Sequence, residues 1–109
     1  MRRPMDDSLL YERRARICQV LADAKRLRLI DALRDTERSV GELADALGAT
    51  YPNISQHLNV MRDAGLVLSR REGTMVFYRL AYPQITQACD IVRDVLRAQL
   101  ADTAALANR

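Results

Sequence analysis

The chain has 109 residues, 49% apolar, 28% charged and only 5% aromatic, which allows one small core over residues 1–109 and predicts no membrane span, signal peptide or second domain. Seventeen basic residues, sixteen of them arginine, stand against fourteen acidic ones for a formal net charge of +3, a balance that admits nucleic acid as a partner without demanding it. Cys18 and Cys89 are too few and too distant for a secreted disulfide scaffold, so a reducing cytoplasm is the expected compartment.

From residue 9 to 22, Leu10, Ile17, Val20 and Leu21 recur at helical spacing. Asp23 then offers an N-cap to a second helix over 24–34, with Leu27, Ile30 and Leu33 predicted to face inward. Ser39-Val40-Gly41-Glu42 is a capping box opening a third helix whose core face is Leu43, Ala44 and Leu47, and Gly48 is a natural left-handed terminator. Thr50 caps a fourth helix, and Pro52 in its first turn lacks only an N–H that would be unsatisfied there anyway. Ile54, Leu58 and Met61 form its buried stripe, and it stops at Gly65. The period then changes: residues 66–71 (LVLSRR) and 75–80 (MVFYRL) flank Glu72-Gly73-Thr74 and predict a β-hairpin, the only sheet-like segment, with Arg70 and Arg71 near its tip. Pro83 biases Tyr82 away from helix and begins a closing helix over 84–106, striped by Ile85, Ala88 or Cys89, Val92, Val95 or Leu96, and Leu100. The core is expected over 9–106, with the first seven residues and the last few frayed.

Helix, three-residue turn, helix, hairpin is the order of a winged helix-turn-helix, mainly α with a small β-hairpin. Its second helix enters the major groove, and its hairpin lies along the flanking phosphates or minor groove. That order gives a purpose to the fourth helix, whose polar face carries Asn53, Ser55, Gln56 and His57 in place of the usual Lys and Glu. Thr50, Tyr51 and Asn53 occupy the first turn, where a recognition helix meets bases, and Ser55, Gln56 and His57 are expected to project away from the buried stripe, with Asn59 merely wet. Asn and Gln amides can pair bidentately with adenine, and free N–H groups in the first turn favour a phosphate. Arg70, Arg71 and Arg79 of the hairpin complete the expected DNA-contacting set. The stripes of the two end helices find no partner in so short a chain, which predicts a homodimer.

On these residues the chain resembles the ArsR/SmtB family of dimeric winged-helix repressors. The likeness is carried by VLADAKRLRLIDAL (20–33), SVGELADALGAT (39–50), ISQHLNVMRDAGLV (54–67) and REGTMVFYRL (71–80). The resemblance implies a homodimer joined through the first and last helices, bound to an inverted repeat in double-stranded DNA and released by a small inducer. The chain departs from the family's metal patterns. Where the arsenic or cadmium type has C-V-C-D/E-L, this chain has Ser39-Val40-Gly41-Glu42-Leu43. Where the zinc or nickel type has Asp-x-His and then His-x-x-His or His-x-x-Glu, it has Tyr82-x-Gln84 and Val95-x-x-Ala98. With His57 the only histidine, no metal and no cofactor are expected.

Cys18 and Cys89 remain as sensor candidates. Each lies on the apolar side of an end helix, and the family's dimer packs those helices together, so the two thiols can be neighbours; a disulfide needs Cα atoms roughly 4.4–6.8 Å apart. Arg14, one turn before Cys18, and Arg93, one turn after Cys89, are cations expected to lower thiol pKa. The family's dithiol members place one cysteine in the second helix, where this chain has Asp31, and the other near the end of the last. Three readings stay open: a switch driven by oxidant or reactive sulfur, a metalloid such as arsenite bound by the same thiols, and two core cysteines with no sensing role. No enzyme is expected, since the lone histidine is on the DNA-facing helix and no phosphate loop, nucleophile elbow or paired carboxylate is present. A winged helix used only for protein contact would leave the polar face and the hairpin arginines no reason to coincide.

Overall fold

The structure, a computed structural model, describes residues 7–107. Among them, in chain order, are α1 Asp7–Leu21, α2 Ala24–Ala32, β1 Arg38–Ser39, α3 Val40–Leu47, α4 Tyr51–Asp63, β2 Val67–Glu72, β3 Met75–Leu80 and α5 Ile85–Ala107. The fraying expected of the chain ends lies outside the described residues, apart from Asp7, which opens α1.

Local chemistry sets most of the boundaries. The Asp23 carboxylate accepts the Arg26 N–H at 3.0 Å and starts α2. At the start of α3, the Ser39 hydroxyl accepts the Glu42 N–H and the Glu42 carboxylate accepts the Ser39 N–H, both at 3.1 Å. Gly48 ends α3 at φ 62°, a left-handed conformation that costs a Cβ-bearing residue roughly 1–2 kcal/mol. The Thr50 hydroxyl accepts the Asn53 N–H at 3.3 Å, a cap contributing about 1 kcal/mol to α4.

The core lies where α2, α3 and α4 meet one face of the sheet, and includes Leu29, Ile30, Leu33, Leu43, Ile54, Leu58 and Met61, all at most 1% exposed. Leu29 and Leu33 with Ile30 between them define the inward stripe of α2, so Leu27, expected inside, falls to one side of it and is exposed. The antiparallel sheet has the order β1-β3-β2. The hairpin is therefore not the only sheet-like segment: Arg38 and Ser39 pair with Tyr78 and Phe77. Two residues are too few to display alternation, and Ser39 was already accounted for by its cap. Val67, Ser69 and Arg71 stand opposite Leu80, Tyr78 and Val76 on the helix-facing side, while Leu68, Arg70 and Glu72 stand opposite Arg79, Phe77 and Met75 on the other. Gly73 at φ 61° with Thr74 at negative φ closes the hairpin, the sign pattern of a type II′ turn.

The end helices are seated lightly. Val20 is the buried residue of α1, and α5 has none. Ile17 and Leu21 of α1 and Ile85 and Cys89 of α5 are half-buried against the core. The result is a slab of 60 × 53 × 22 Å with a radius of gyration of 17.3 Å, against about 13 Å for a compact chain of this length. Among the described residues no helix is long and apolar enough to cross a membrane.

Candidate nucleic-acid interface

The turn Gly48, Ala49 and Thr50 brings α4 across α3, and burial on α4 divides its circumference. Ile54, Leu58 and Met61 are fully buried. On the opposite side Gln56 and Asn59 are exposed, with exposed Tyr51 and half-buried Ser55 on one flank and half-buried Asn53 and His57 on the other. Gln56 therefore sits at the middle of the outward face. Exposed Thr50 spends one lone pair on its cap and keeps a hydroxyl hydrogen to donate.

The flank carrying Asn53 and His57 is tied to the N-terminus of α2. Lys25 Nζ donates to Asn53 Oδ1 at 2.8 Å. Arg26 Nη1 lies 3.3 Å from His57 Nδ1, and the Asp23 carboxylate lies 4.0 Å from the same nitrogen. The Asp23 carboxyl is held below its ordinary value of 3.8, first by the Arg26 backbone N–H and then by the charges of Arg26 and His57, against the opposing effect of burial. His57 was expected to project with Gln56; its ring turns inward because Asp23 and Arg26 receive it, and it fastens the recognition helix to α2. Lys25 and Arg26 were not anticipated as part of this region. The available signal was their position, since cations in the first turn of a helix run against its dipole and need another reason to be there.

On the hairpin the three arginines differ. Arg70 is engaged by Glu37 (Nε to Oε1 2.8 Å, Nη2 to Oε1 2.6 Å) and Glu72 (2.9 Å), and its guanidinium lies 4.5 Å from the Phe77 ring centre. Arg70 holds the Glu37 carboxyl below its usual range, and Arg79 adds to that effect. No ion pair among the described residues engages Arg71 or Arg79. Arg71 stands on the α4 side near the tip, and Arg79 on the outer side with Arg70.

Both cysteines are free thiols, Cys18 exposed and Cys89 half-buried. Within one chain α1 packs on α2, and α5 also packs on α2. The Cys89 thiol is pushed above its ordinary value, first by burial and then by Asp31 and Asp90, with Arg34 opposing. Arg93 was expected to lower it, but that cation is directed to Asp90 at 3.5 Å. Arg14 lies over the Tyr11 ring at 4.9 Å. No group of three or more His, Cys, Asp or Glu side chains suited to a metal ion occurs among the described residues.

A capped two-helix turn with an outward polar face, flanked by a short β-hairpin, defines the winged helix-turn-helix class of regulators. Residues 23–69 match the family described as bacterial regulatory protein, arsR family. The HTH-type transcriptional regulator Rv0081 of Mycobacterium tuberculosis is 37% identical over 103 residues, covering 94% of this chain and 90% of that protein. The chain belongs to the arsR family of helix-turn-helix transcriptional regulators. Among solved structures, the homodimeric winged helix-turn-helix DNA-binding domain Mb0332 of Mycobacterium bovis superposes with a TM-score of 0.78 at 32% identity, covering 90% of this chain and 91% of that one. The transcriptional repressor BigR of Xylella fastidiosa does so with a TM-score of 0.69 at 32% identity, covering 84% and 96%.

Proposed function

We propose that the protein is a homodimeric, sequence-specific repressor in which residues 1–109 form one DNA-binding domain that reads an inverted-repeat operator and leaves it when an inducer acts. The observation that carries the reading is the division of α4, buried on one side and, ahead of the exposed Arg62 and Asp63 at its end, presenting uncharged hydrogen-bonding groups on the other, with Arg71, which no ion pair among the described residues engages, on the same side of the hairpin. Gln56 is the central base reader. Thr50, Tyr51, Asn53 and Ser55 border it, His57 holds the helix in place, and Arg71 and Arg79 supply charge for phosphates. Arg70, already holding two carboxylates, stiffens the wing and reaches phosphate only by exchanging them. Dimerisation is supported by α5, 23 residues long with no buried side chain, and by the homodimeric relative.

For the inducer we assign Cys18 and Cys89, which lie on the two helices whose surfaces a second copy would cover. Peroxide would take two electrons and two protons from the pair, forming the S–S bond and leaving water. A polysulfide would insert sulfane sulfur between the same thiols, its own S–S bonds breaking and the two electrons and two protons leaving as hydrogen sulfide, whereas arsenite would exchange its hydroxyls for the two thiolates, release water and leave both sulfurs reduced.

The test is a duplex selection from a random library followed by binding titrations across salt. An inverted repeat should emerge, and log K should fall linearly with log salt by about 0.9 per phosphate neutralised. A selection that enriches nothing, or an affinity indifferent to salt, would reject DNA binding and favour a protein-contact module.

A further inference from the structure

We infer that the Arg34 and Asp90 ion pair is a positioning device that locks α5 against α2 and thereby sets the half-site spacing the dimer accepts. The inference rests on the dimeric DNA-binding reading above. Arg34 lies just beyond the C-cap of α2 and reaches Asp90, 56 positions along the chain in the first turns of α5, with Nη1 to Oδ2 at 3.2 Å and Nη2 to Oδ1 at 2.5 Å. Both carboxylate oxygens are held by both terminal nitrogens, a fork-to-fork geometry that fixes direction as well as distance. Asp31 accepts from Arg34 Nε at 3.0 Å, and Arg93 approaches Asp90 at 3.5 Å. Charges thus alternate across the helix crossing: Asp31, Arg34, Asp90, Arg93. The paired side chains are only 31% and 32% exposed, which shields them partly from salt.

Apolar packing alone does not hold α5 in one direction. The helix buries no residue, and of its apolar side chains only Ile85 and Cys89, both in its first turns, are half-buried against the core. A 23-residue rod seated at one end can rock about that seat, and the ion pair lies at the seat. On its other sides α2 packs directly against α3 and α4, so a change in the angle between α5 and α2 carries the recognition helix with it relative to the dimer helix. Half-sites lie about 34 Å apart, so each recognition helix stands at a lever arm of about 17 Å from the dyad. Rocking by about 10° moves it by about 3 Å, close to the rise of about 3.4 Å for one base pair.

Asp90→Asn, Arg34→Gln and the double variant test this. Each protein is assayed for sedimentation, for affinity to a duplex carrying one half-site, and for affinity to the selected palindrome with its centre unchanged, lengthened or shortened by one base pair. All three variants should stay dimeric and bind the half-site as the wild type does. Each single variant should lose at least about fivefold of the preference for the native spacing, and the double variant should lose no more than either single one, as expected of two groups acting as one unit. An unchanged spacing preference, losses that add in the double variant, or losses that equal those on the half-site would each overturn the proposal. A wild-type protein that sediments as a monomer or selects no site overturns the underlying reading as well, and that result is distinguishable because it appears before any variant is made.

Discussion

The centre of the chain and its two ends use the same kinds of apolar side chain to different effect. Among the described residues, fourteen of the fifteen buried apolar residues lie from Leu29 to Leu80, and the fifteenth is Val20 of α1. The ends carry Leu9, Leu10, Val92, Val95, Leu96 and Leu100, all exposed. The winged core is closed by its own elements together with Val20 of α1, whereas no element among the described residues covers those six side chains of the end helices. Helical periodicity reports that a face is apolar and is silent about which molecule covers it.

That contrast is broken most forcefully at α5. Val92, 67% exposed in one chain, becomes a buried charge in the dimer when changed to Asp. The loss counts twice across a two-fold axis, roughly 3–6 kcal/mol in all and a rise of about 10²- to 10⁴-fold in the dimer Kd. Sedimentation should show folded monomers. Leu58→Ala in the core should do the reverse, costing about 2–5 kcal/mol of unfolding free energy in denaturant titrations while leaving association of the folded protein intact. If Val92→Asp still sediments as a dimer, the interface lies elsewhere.

The helix-turn-helix was legible because its signals are local. Ser39, Glu42, Gly48, Thr50 and Pro52 each satisfy or release a backbone group within four residues, so pattern and structure coincide. What escaped depends on residues distant in the chain. β1 exists only because β3 returns beside it, His57 faces inward only because Asp23 and Arg26 wait 31 or more positions earlier, and Arg70 is occupied by Glu37 from 33 positions away. Cys89 misled for a similar reason: the cation one turn along the helix was visible, but the burial and the carboxylate of Asp31 that raise its thiol come from packing.

The end helices also carry the thiols, and these separate a switch from mere packing. A covalent link between α1 and α5 needs to supply only about 1–3 kcal/mol of coupling to lower operator affinity 5- to 150-fold. Cys18→Ser and Cys89→Ser should bind DNA normally when reduced and stay bound after peroxide or polysulfide, with mass spectrometry distinguishing a disulfide from a sulfur bridge. Release of either variant under the same treatment would return both cysteines to structural roles. Because its thiol is raised, Cys89 should react more slowly than an ordinary thiol at neutral pH.

Within the recognition helix, Gln56 and Asn53 sharpen the comparison between free and tied groups. Gln56→Ala should cost about 1–3 kcal/mol on the operator and leave random DNA unaffected, whereas Arg71→Ala should weaken both and reduce the salt slope by about one phosphate. Equal losses on the two DNAs in the Gln56 variant would rule out base reading there. Asn53 gives one side of its carbonyl to Lys25, so it presents mainly donors and should favour guanine N7 and O6 over the two-way pattern of adenine. Lys25→Met should move the preference at that base toward adenine, read as a change in the selected sequence, and an unaltered preference would show that Lys25 has no part in reading.

The smallest effect concerns acid, and it sets the wing pair against the α2–α5 pair. Arg70 holds Glu37 below its ordinary value of 4.5, and Arg34 holds Asp90 below 3.8. A carboxyl whose folded pKa is depressed stabilises the fold fully above its unfolded value, and that contribution is lost as pH falls through the folded one. Glu37→Gln should therefore flatten the fall in thermal stability that begins just below pH 4.5, and Asp90→Asn the part that begins below 3.8. Thermal unfolding followed from neutral pH into acid measures both, and a Glu37→Gln protein with the wild-type acid profile would remove the wing pair from the account. Salt should tell the two apart further. Arg70 is 51% exposed against 31% for Arg34, while the carboxylates are alike at 28% for Glu37 and 32% for Asp90, so added salt should screen the wing pair more from its arginine side and reduce its part of the acid profile ahead of that of the α2–α5 pair.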